Sequence, residues 1–319
     1  MNLFPSVVAA EKRIRPHILT TPLFPSYYLS GLSGGQVYLK LESEQYTGSF
    51  KARGALNKIL ATPKSAQQKG FITASTGNHA QGFARALQIA GAAGTIYLPE
   101  TASPAKVAAL KSYPVDLQFH GKDPLTTELY AQKVAAETNK IWVSPYNDPS
   151  IIAGQGTMGL EIFQQAPSPI NYVLGCVGGG GMMSGVGTAL KTLSPDIQLV
   201  GCLPENSPEM YLSIKKGSVV VIDEPLDTLS DGSAGGLEVD SITFDICRSL
   251  LDSYCLASEQ EIAKSIQLIA EKHHKIIEGA AGVAVASFLK EIETYKNKTV
   301  VIIICGANIT MEKLKKCLG

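Results

Sequence analysis

The fold is decided by the stretch Tyr172-Val173-Leu174-Gly175-Cys176-Val177-Gly178-Gly179-Gly180-Gly181-Met182-Met183-Ser184. Its first six residues are apolar or small and predict a buried strand, and a helix is predicted directly after the four glycines. In α/β proteins, ligands bind at the carboxyl ends of parallel strands, where such a loop lies. Backbone N–H groups without side chains, at the positive end of a helix dipole, favour an anion. The stretch therefore predicts a phosphate site in an α/β protein.

Other readings of the glycine loop follow from its spacing. The four glycines do not match the G-x-G-x-x-G pattern of dinucleotide-binding loops, and no Lys-Ser or Lys-Thr pair follows them as in a P-loop. The pattern thus argues against dinucleotides and nucleoside triphosphates. A plain tight turn is the remaining alternative.

The same alternation of apolar strands and helical segments extends through the chain and predicts mostly parallel sheets. Clusters of turn formers near residues 62–70 and 145–149 predict two domain boundaries. Between them the chain would form a small domain before it returns to the first one. We predict a large domain of residues 1–66 and 148–319 and a small domain of residues 67–147. Strands are predicted at Val37–Glu42, Phe71–Ala74, Thr95–Leu98, Val115–Phe119, Ile141–Val143, Tyr172–Val177, Leu199–Cys202 and Val300–Ile304.

Composition excludes several classes of protein. Hydrophobic residues make up 45% of the chain, and 28 basic residues balance 28 acidic ones, so no charged field would gather nucleic acid or anionic lipid. The first 15 residues lack a signal-peptide pattern, and the apolar run Gly279–Leu289 is too short to span a membrane. Six cysteines without a C-x-x-C pair fit buried reduced thiols. We predict a cytoplasmic protein that binds neither nucleic acid nor membranes.

Two further strand ends carry polar residues. The sequence Ser75-Thr76-Gly77-Asn78-His79 follows a predicted strand, and its small polar residues either cap the next helix or hold a carboxylate. His79 is a candidate general base, although a histidine there more often makes a structural hydrogen bond. Cys305 ends the last apolar strand and is either a buried thiol or a weak partner for a ligand.

A lysine completes the pattern. Lys51 lies between Phe50 and the start of a predicted helix, in the stretch Ser49-Phe50-Lys51-Ala52-Arg53-Gly54. A lysine, a phosphate loop and a carboxylate loop together indicate pyridoxal phosphate chemistry on an amino acid.

Five motifs in serial order resemble the fold-type II pyridoxal-phosphate enzymes, closest to the threonine/serine dehydratase and serine racemase branch. This resemblance implies two open, twisted, mostly parallel sheets flanked by helices, as in the tryptophan synthase β subunit, with the active site in the cleft between the domains. The motifs are Ser49–Ala55, Ser75–Gly82, Gly154–Thr157, Gly178–Gly181 and Glu278–Gly282.

The resemblance also implies a role for each motif. Lys51 would form the internal Schiff base and act as a base, with Phe50 beside the pyridine ring. Asn78 would hydrogen-bond the ring O3′, and Cys305 would contact the pyridine nitrogen. The phosphate would be bound by Gly178, Gly179, Gly180, Gly181 and Met182, and the substrate carboxylate by Ser75, Thr76, Gly77 and His79.

Two positions depart from the family pattern. Thr76 stands where the racemase has a serine opposite the lysine and many dehydratases have alanine, so its hydroxyl leaves racemisation open. Leu203 stands where the family's divalent-metal site has an acid, which leaves Glu209 as a possible ligand and puts metal activation in doubt.

The leading hypothesis is an ammonia-lyase that converts L-threonine or L-serine into a 2-oxo acid and ammonia. An amino-acid racemase with Lys51 and Thr76 on opposite faces is the alternative, followed by a 3-hydroxyaspartate ammonia-lyase and, last, a silent cofactor-binding sensor. By resemblance we expect a homodimer or homotetramer. A catabolic role is expected because no regulatory region follows the last motif.

Overall fold

The computed structural model describes residues 2–167, 169–222 and 226–319, and its strands form two sheets. The strands are β1 (Leu23–Pro25), β2 (Gln36–Leu41), β3 (Phe71–Ala74), β4 (Gly94–Leu98), β5 (Asp116–Phe119), β6 (Ile141–Trp142), β7 (Tyr172–Cys176), β8 (Gln198–Pro204), β9 (Ser253–Ala257) and β10 (Thr299–Ile304).

Helices surround both sheets. They are α1 (Phe4–Ile14), α2 (Tyr27–Ser33), α3 (Lys51–Ala61), α4 (Lys64–Gln67), α5 (Asn78–Ala90), α6 (Pro104–Leu110), α7 (Pro124–Glu137), α8 (Pro149–Gln165), α9 (Gly181–Leu193), α10 (Glu209–Lys216), α11 (Ile242–Leu250), α12 (Glu259–His273), α13 (Gly279–Lys290) and α14 (Met311–Leu318). In the described part of the chain no helix is long and apolar enough to cross a membrane.

The larger sheet has six strands in the order β1-β2-β10-β7-β8-β9. Only the pair β1–β2 is antiparallel. The central strand β10 is buried from Val300 to Ile304 without alternation, because helices cover both faces of a parallel sheet. This sheet and its helices enclose the larger of the hydrophobic cores.

The smaller sheet has four parallel strands in the order β5-β4-β3-β6. Its strands all lie between residues 71 and 142, inside the segment 67–147 that the sequence predicts as the small domain. The division into domains stays a prediction, whereas the α/β class with two mostly parallel sheets is confirmed.

Each predicted strand is present, with ends that differ by no more than one residue except at β8, which runs two residues further to Pro204. The structure adds β1 and β9, which form the two edges of the six-stranded sheet. β1 has three residues and ends in proline, and β9 begins with Ser253 and Tyr254. Edge strands need no long apolar run, so their sequences carry little signal.

The chain brings the beginning of α3 to the carboxyl end of β10. Ser49 forms an isolated antiparallel bridge with Gly306, and the Phe50 N–H donates to the Cys305 carbonyl at 3.0 Å. α3 also packs on α5 and α8. Lys51 is therefore placed at the strand ends where ligands bind in this class of fold.

Candidate active site

The glycine loop is held by close contacts that leave no room for side chains. A Cβ on Gly178 would lie 2.4 Å from the carbonyl oxygen of Ser233, and one on Gly179 would lie 2.4 Å from the ring of Tyr146. Gly180 has φ of +81°, which favours glycine, and is the N-cap of α9. The loop must consist of glycine, so its N–H groups remain unobstructed at a helix N-terminus.

Neighbouring side chains fix the orientation of this loop. The Thr243 hydroxyl donates to the Gly179 carbonyl at 2.6 Å, and the Gly180 carbonyl accepts from the Ser184 N–H at 2.9 Å. Met182 is buried in the first turn of α9. Both bonds are accepted by carbonyl oxygens of the loop, so neither of them occupies an N–H group of the four glycines.

Lys51 is the first residue of α3, and none of the acidic side chains that the structure describes pairs with its amine. Nζ donates to the Pro145 carbonyl at 2.7 Å and lies 5.3 Å from the centre of the Phe50 ring. Burial lowers the pKa of this amine to about 8, although Cys305, Glu278 and Glu128 act in the opposite direction. Part of the Lys51 population is thus a neutral nucleophile near neutral pH.

Pro145 links Lys51 to the glycine loop, because the next residue, Tyr146, packs against Gly179 and Gly181. The Tyr146 hydroxyl accepts the Glu238 N–H at 2.9 Å, which anchors the ring. The lysine and the predicted phosphate site are therefore neighbours.

A second part of the site is a cluster around the carboxylate of Glu278. Asn78 Nδ2 donates to both of its oxygens at 2.9 Å, and the Cys305 thiol donates at 3.7 Å. The Asn308 N–H donates to it at 3.1 Å. Burial raises the pKa of Glu278, and burial likewise raises the pKa of the Cys305 thiol, with the nearby Glu278 adding to the rise. The thiol is therefore neutral at physiological pH.

The loop after β3 is partly exposed. The Ser75 hydroxyl accepts the Gly77 N–H at 3.2 Å, and Thr76 and Gly77 are both partly accessible. A Cβ on Gly77 would meet no atom within 4 Å, so space is open beside it. The loop has the small polar residues and the room that a carboxylate would need.

His79 lies in a different environment. Its ring is buried, with Nε2 3.0 Å from the Thr73 hydroxyl and 3.2 Å from the Val143 carbonyl. Burial, with a contribution from Lys51, lowers its pKa to about 3. Nε2 therefore has the structural hydrogen bonds that are the alternative to a general base, whereas Nδ1 is buried without a hydrogen-bond partner among the described residues.

The metal ligands expected for the family are incomplete here. Leu203 is fully buried in β8, and the carboxylate of Glu209 accepts the Ser207 hydroxyl at 2.6 Å. In the residues that the structure describes, no group of three or more His, Cys, Asp or Glu side chains could hold a metal ion. The residues present at this position do not fit a divalent-metal site.

Three residues of the site were missed by the reasoning from sequence. Tyr146 follows β6, where the strand-end rule predicts ligands, but the turn formers of its segment indicate a domain boundary instead. Glu278 stands inside a quoted motif without a role, and Ser233 lies in a loop without a pattern. Their positions depend on contacts between distant segments.

The residues fit pyridoxal phosphate. The cofactor needs an amine that is partly neutral, an anion site without side chains and polar contacts along the ring. Lys51, the glycine loop, Asn78 and Cys305 supply these groups.

Comparisons with known proteins agree with this geometry. A family model described as pyridoxal-phosphate dependent enzyme matches residues 14–306. An L-threonine ammonia-lyase of Thermotoga maritima is 37% identical over 312 residues, which are 97% of this chain and 76% of the relative. A tomato (Solanum lycopersicum) threonine deaminase isoform 2, in its processed form, superposes with a TM-score of 0.93 at 33% identity over 99% of this chain and 92% of its own. Maize serine racemase superposes with a TM-score of 0.92 at 27% identity over 98% of this chain and 95% of its own.

Proposed function

The chain belongs to the family of pyridoxal-phosphate dependent enzymes, and we propose that it is an ammonia-lyase for L-threonine, L-serine or both. The reaction would remove the β-hydroxyl and release a 2-oxo acid and ammonia. The observation that carries the proposal is the Lys51 amine near a glycine loop, which has a lowered pKa and donates to a backbone carbonyl instead of a carboxylate of the described residues. Its relatives named threonine ammonia-lyase and threonine deaminase support the reaction type.

Lys51 and the glycine loop would have separate roles in the reaction. When bound, pyridoxal phosphate supplies an aldehyde for amines and an electron sink that acidifies the substrate Cα–H. Lys51 would take that proton, because its amine is a base once the substrate has displaced it. The N–H groups of Gly178–Gly181 would hold the phosphate, followed by Met182 in the same turn.

The substrate and the ring would be oriented by the opposite side of the cleft. Ser75, Thr76, Gly77 and the His79 N–H would hold the carboxylate, and Asn78 would donate to O3′. The neutral Cys305 thiol is too weak an acid to protonate the pyridine nitrogen, as an aspartic acid would. A weak electron sink favours loss of the β-hydroxyl together with, or soon after, removal of the Cα proton over reactions that need a long-lived carbanion.

Racemisation is the second candidate function. Thr76 is partly exposed on the loop that would face the substrate, and its hydroxyl is a proton carrier in principle. The similarity to maize serine racemase favours keeping this candidate. A 3-hydroxyaspartate ammonia-lyase would use the same residues, and a silent sensor would have no need of the Lys51 amine.

A product assay separates these functions. The protein loaded with pyridoxal phosphate is incubated with L-threonine, L-serine and 3-hydroxyaspartate, and 2-oxo acid and D-isomer are both measured. The proposal predicts 2-oxo acid from threonine or serine in excess over any D-isomer, and none from a Lys51→Ala control. D-isomer as the main product would assign a racemase, and no product despite bound cofactor would assign a sensor.

We also propose a homodimer or homotetramer in the cytoplasm. Family membership supports the assembly, and six free, buried thiols support a reducing compartment. Gel filtration with light scattering tests the first, and localisation of a tagged copy tests the second.

A further inference from the structure

Glu278 occupies a central position that the proposed function does not use. It is the N-cap residue of α13 and is only 4% exposed. Its backbone N–H donates to the Gly306 carbonyl at 3.1 Å, so it is fixed beside the end of β10. A buried carboxylate is costly unless it is hydrogen-bonded, and this one accepts bonds from Asn78, Cys305 and the Asn308 backbone.

Its partners are the two groups proposed at the cofactor ring. Asn78 would donate to O3′, and Cys305 would face the pyridine nitrogen, and these two atoms lie along one edge of the ring. Both side chains donate to the same carboxylate in this structure. Glu278 therefore links the predicted contacts of that edge.

The orientation of the Asn78 amide follows from its neighbours. Its oxygen accepts from Asn308 Nδ2 at 2.6 Å, and Asn308 Nδ2 also donates to the Thr47 carbonyl at 2.9 Å. Its nitrogen faces the Glu278 oxygens. A flipped amide would place two acceptors together, so the network selects one orientation.

The space around Glu278 is also specific. A Cβ on Gly306 would lie 2.5 Å from Glu278 Oε1, so a side chain at position 306 would displace the carboxylate. On another side, the loop that contains Gly232 covers it, because a Cβ there would lie 3.6 Å from the same oxygen and 3.9 Å from Asn78 Nδ2. The carboxylate is confined to the position that reaches Asn78 and Cys305.

We propose that Glu278 is a positioning residue, which orients Asn78 and Cys305 for the edge of the pyridine ring that carries O3′ and the nitrogen. This inference rests on the proposed function, which supplies pyridoxal phosphate as the cofactor. Glu278 should then affect the affinity for the cofactor, and the effect should depend on the length of its side chain.

A purely electrostatic role is the competing explanation. Cys305, Glu278 and Glu128 each act to raise the pKa of Lys51, and Lys51 acts to lower the pKa of His79. Asp231 acts to raise the pKa of Glu278. Glu128 extends from α7, and its Oε1 is buried without a hydrogen-bond partner in the described chain. It influences Lys51 through charge alone, so it is a matched control.

The experiment measures the dissociation constant of pyridoxal phosphate for the cofactor-free protein, by titration of the visible absorbance. Glu278→Gln removes the charge and keeps the length, whereas Glu278→Asp keeps the charge and shortens the reach by one methylene. We expect both to raise the dissociation constant by about tenfold or more, the cost of lost bonds to a charged group. Glu128→Gln is expected to stay within about threefold of wild type.

Two results would overturn the proposal. Wild-type affinity in Glu278→Asp would show that charge and not position matters, and equal losses in Glu278→Gln and Glu128→Gln would show the same. Thermal melting of each cofactor-free protein checks folding. If the Glu278 variants do not fold, Gly306→Ala, which displaces the carboxylate without altering it, decides by the same titration.

The outcome is separate from that of the proposed function. A wild-type protein that binds pyridoxal phosphate but gives no 2-oxo acid refutes the ammonia-lyase and leaves the affinity comparison valid. A protein that makes 2-oxo acid with unchanged affinity in Glu278→Asp refutes only the role of Glu278.

Discussion

Lys51 and Arg53 are two cations in the first turn of the same helix, and their surroundings are opposite. Arg53 is fully buried and forms salt bridges with Glu42 at 2.7 Å and Glu161 at 2.7 Å. Lys51 has a backbone carbonyl as its hydrogen-bond acceptor, and no carboxylate of the described residues lies within ion-pair distance of it. One helix thus carries a neutralised cation and an unneutralised one, two residues apart.

The Arg53 side is a closed network of charges. Lys40 is fully buried and contacts Glu161 at 2.6 Å, and Arg15 reaches the same carboxylate from the protein edge at 2.5 Å. The two carboxylates raise the pKa of Arg53, and Arg53, followed by Lys40, lowers the pKa of Glu161 to about 2 against the effect of burial. These charges fix the helix that begins at Lys51.

The difference teaches that burial alone does not mark a reactive group. A buried cation with good partners becomes a rigid structural element, while burial without a charged partner lowers an amine pKa into the working range. The Arg53 network holds α3 in place so that Lys51 can remain unpaired.

The largest expected effect comes from Lys51→Ala. Loss of both the covalent attachment and the base should reduce 2-oxo acid formation by at least about 10³-fold. Because the substitution leaves no carboxylate of the described residues without an ion-pair partner, the cofactor-free variant should be as stable as wild type or slightly more so. Activity assays and urea unfolding measure the two effects. A marked loss of stability would contradict the contrast between the unneutralised Lys51 and the neutralised Arg53.

Arg53→Met should lower the free energy of unfolding, which Lys51→Ala should leave unchanged or slightly raise. It leaves Glu42 and Glu161 buried without their main partner, which should cost about 3–5 kcal/mol of unfolding free energy. Urea unfolding of the cofactor-free protein measures this loss.

Lys58→Met is the control on the same helix, because Lys58 pairs with Asp148 at 2.5 Å with 20% and 15% of the two side chains exposed. It should cost about 1 kcal/mol or less. Equal costs for Arg53→Met and Lys58→Met would contradict a structural role for the Arg53 network.

A smaller effect is expected from Gly306→Ala. The new Cβ would displace Glu278, so cofactor affinity should fall by about tenfold, and the collision should cost about 1–3 kcal/mol of stability. Gly31→Ala in α2 is the control, since a Cβ there meets no atom within 4 Å and should slightly stabilise the helix. Similar affinities of the two variants would argue against the confinement of Glu278.

The pH dependence of the rate at which pyridoxal phosphate attaches to Lys51 tests the lowered pKa of its amine. Only the neutral amine attacks an aldehyde, and burial lowers the pKa of Lys51 to about 8, so the rate should rise about tenfold from pH 7 and level off above about pH 8–9. Stopped-flow absorbance with cofactor-free protein measures it. Nα-acetyl-lysine, with a pKa of about 10.4, is the control, and a protein rate that rises in parallel with it to pH 10 would contradict a lowered pKa.

Much of the fold could be predicted, because central strands such as β3, β7 and β10 are uninterrupted apolar runs. The strand-end rule likewise predicts functional loops after β7 and β3, where the glycine loop and the Ser75–His79 loop lie. The partners of Arg53 and Glu278 could not be predicted. They come from segments 11 and 108 residues away for Arg53, and 200 residues away for the contact between Asn78 and Glu278. Local patterns carry no information on such pairs.

The central claim is that Lys51 is the amine that this fold keeps available for pyridoxal phosphate. Reduction of the loaded protein with borohydride, followed by peptide mapping, tests it directly. The account predicts one stoichiometric phosphopyridoxyl group on Lys51, and no group on the paired Lys40. Stoichiometric labelling of a different lysine, with Lys51 unmodified, would contradict it.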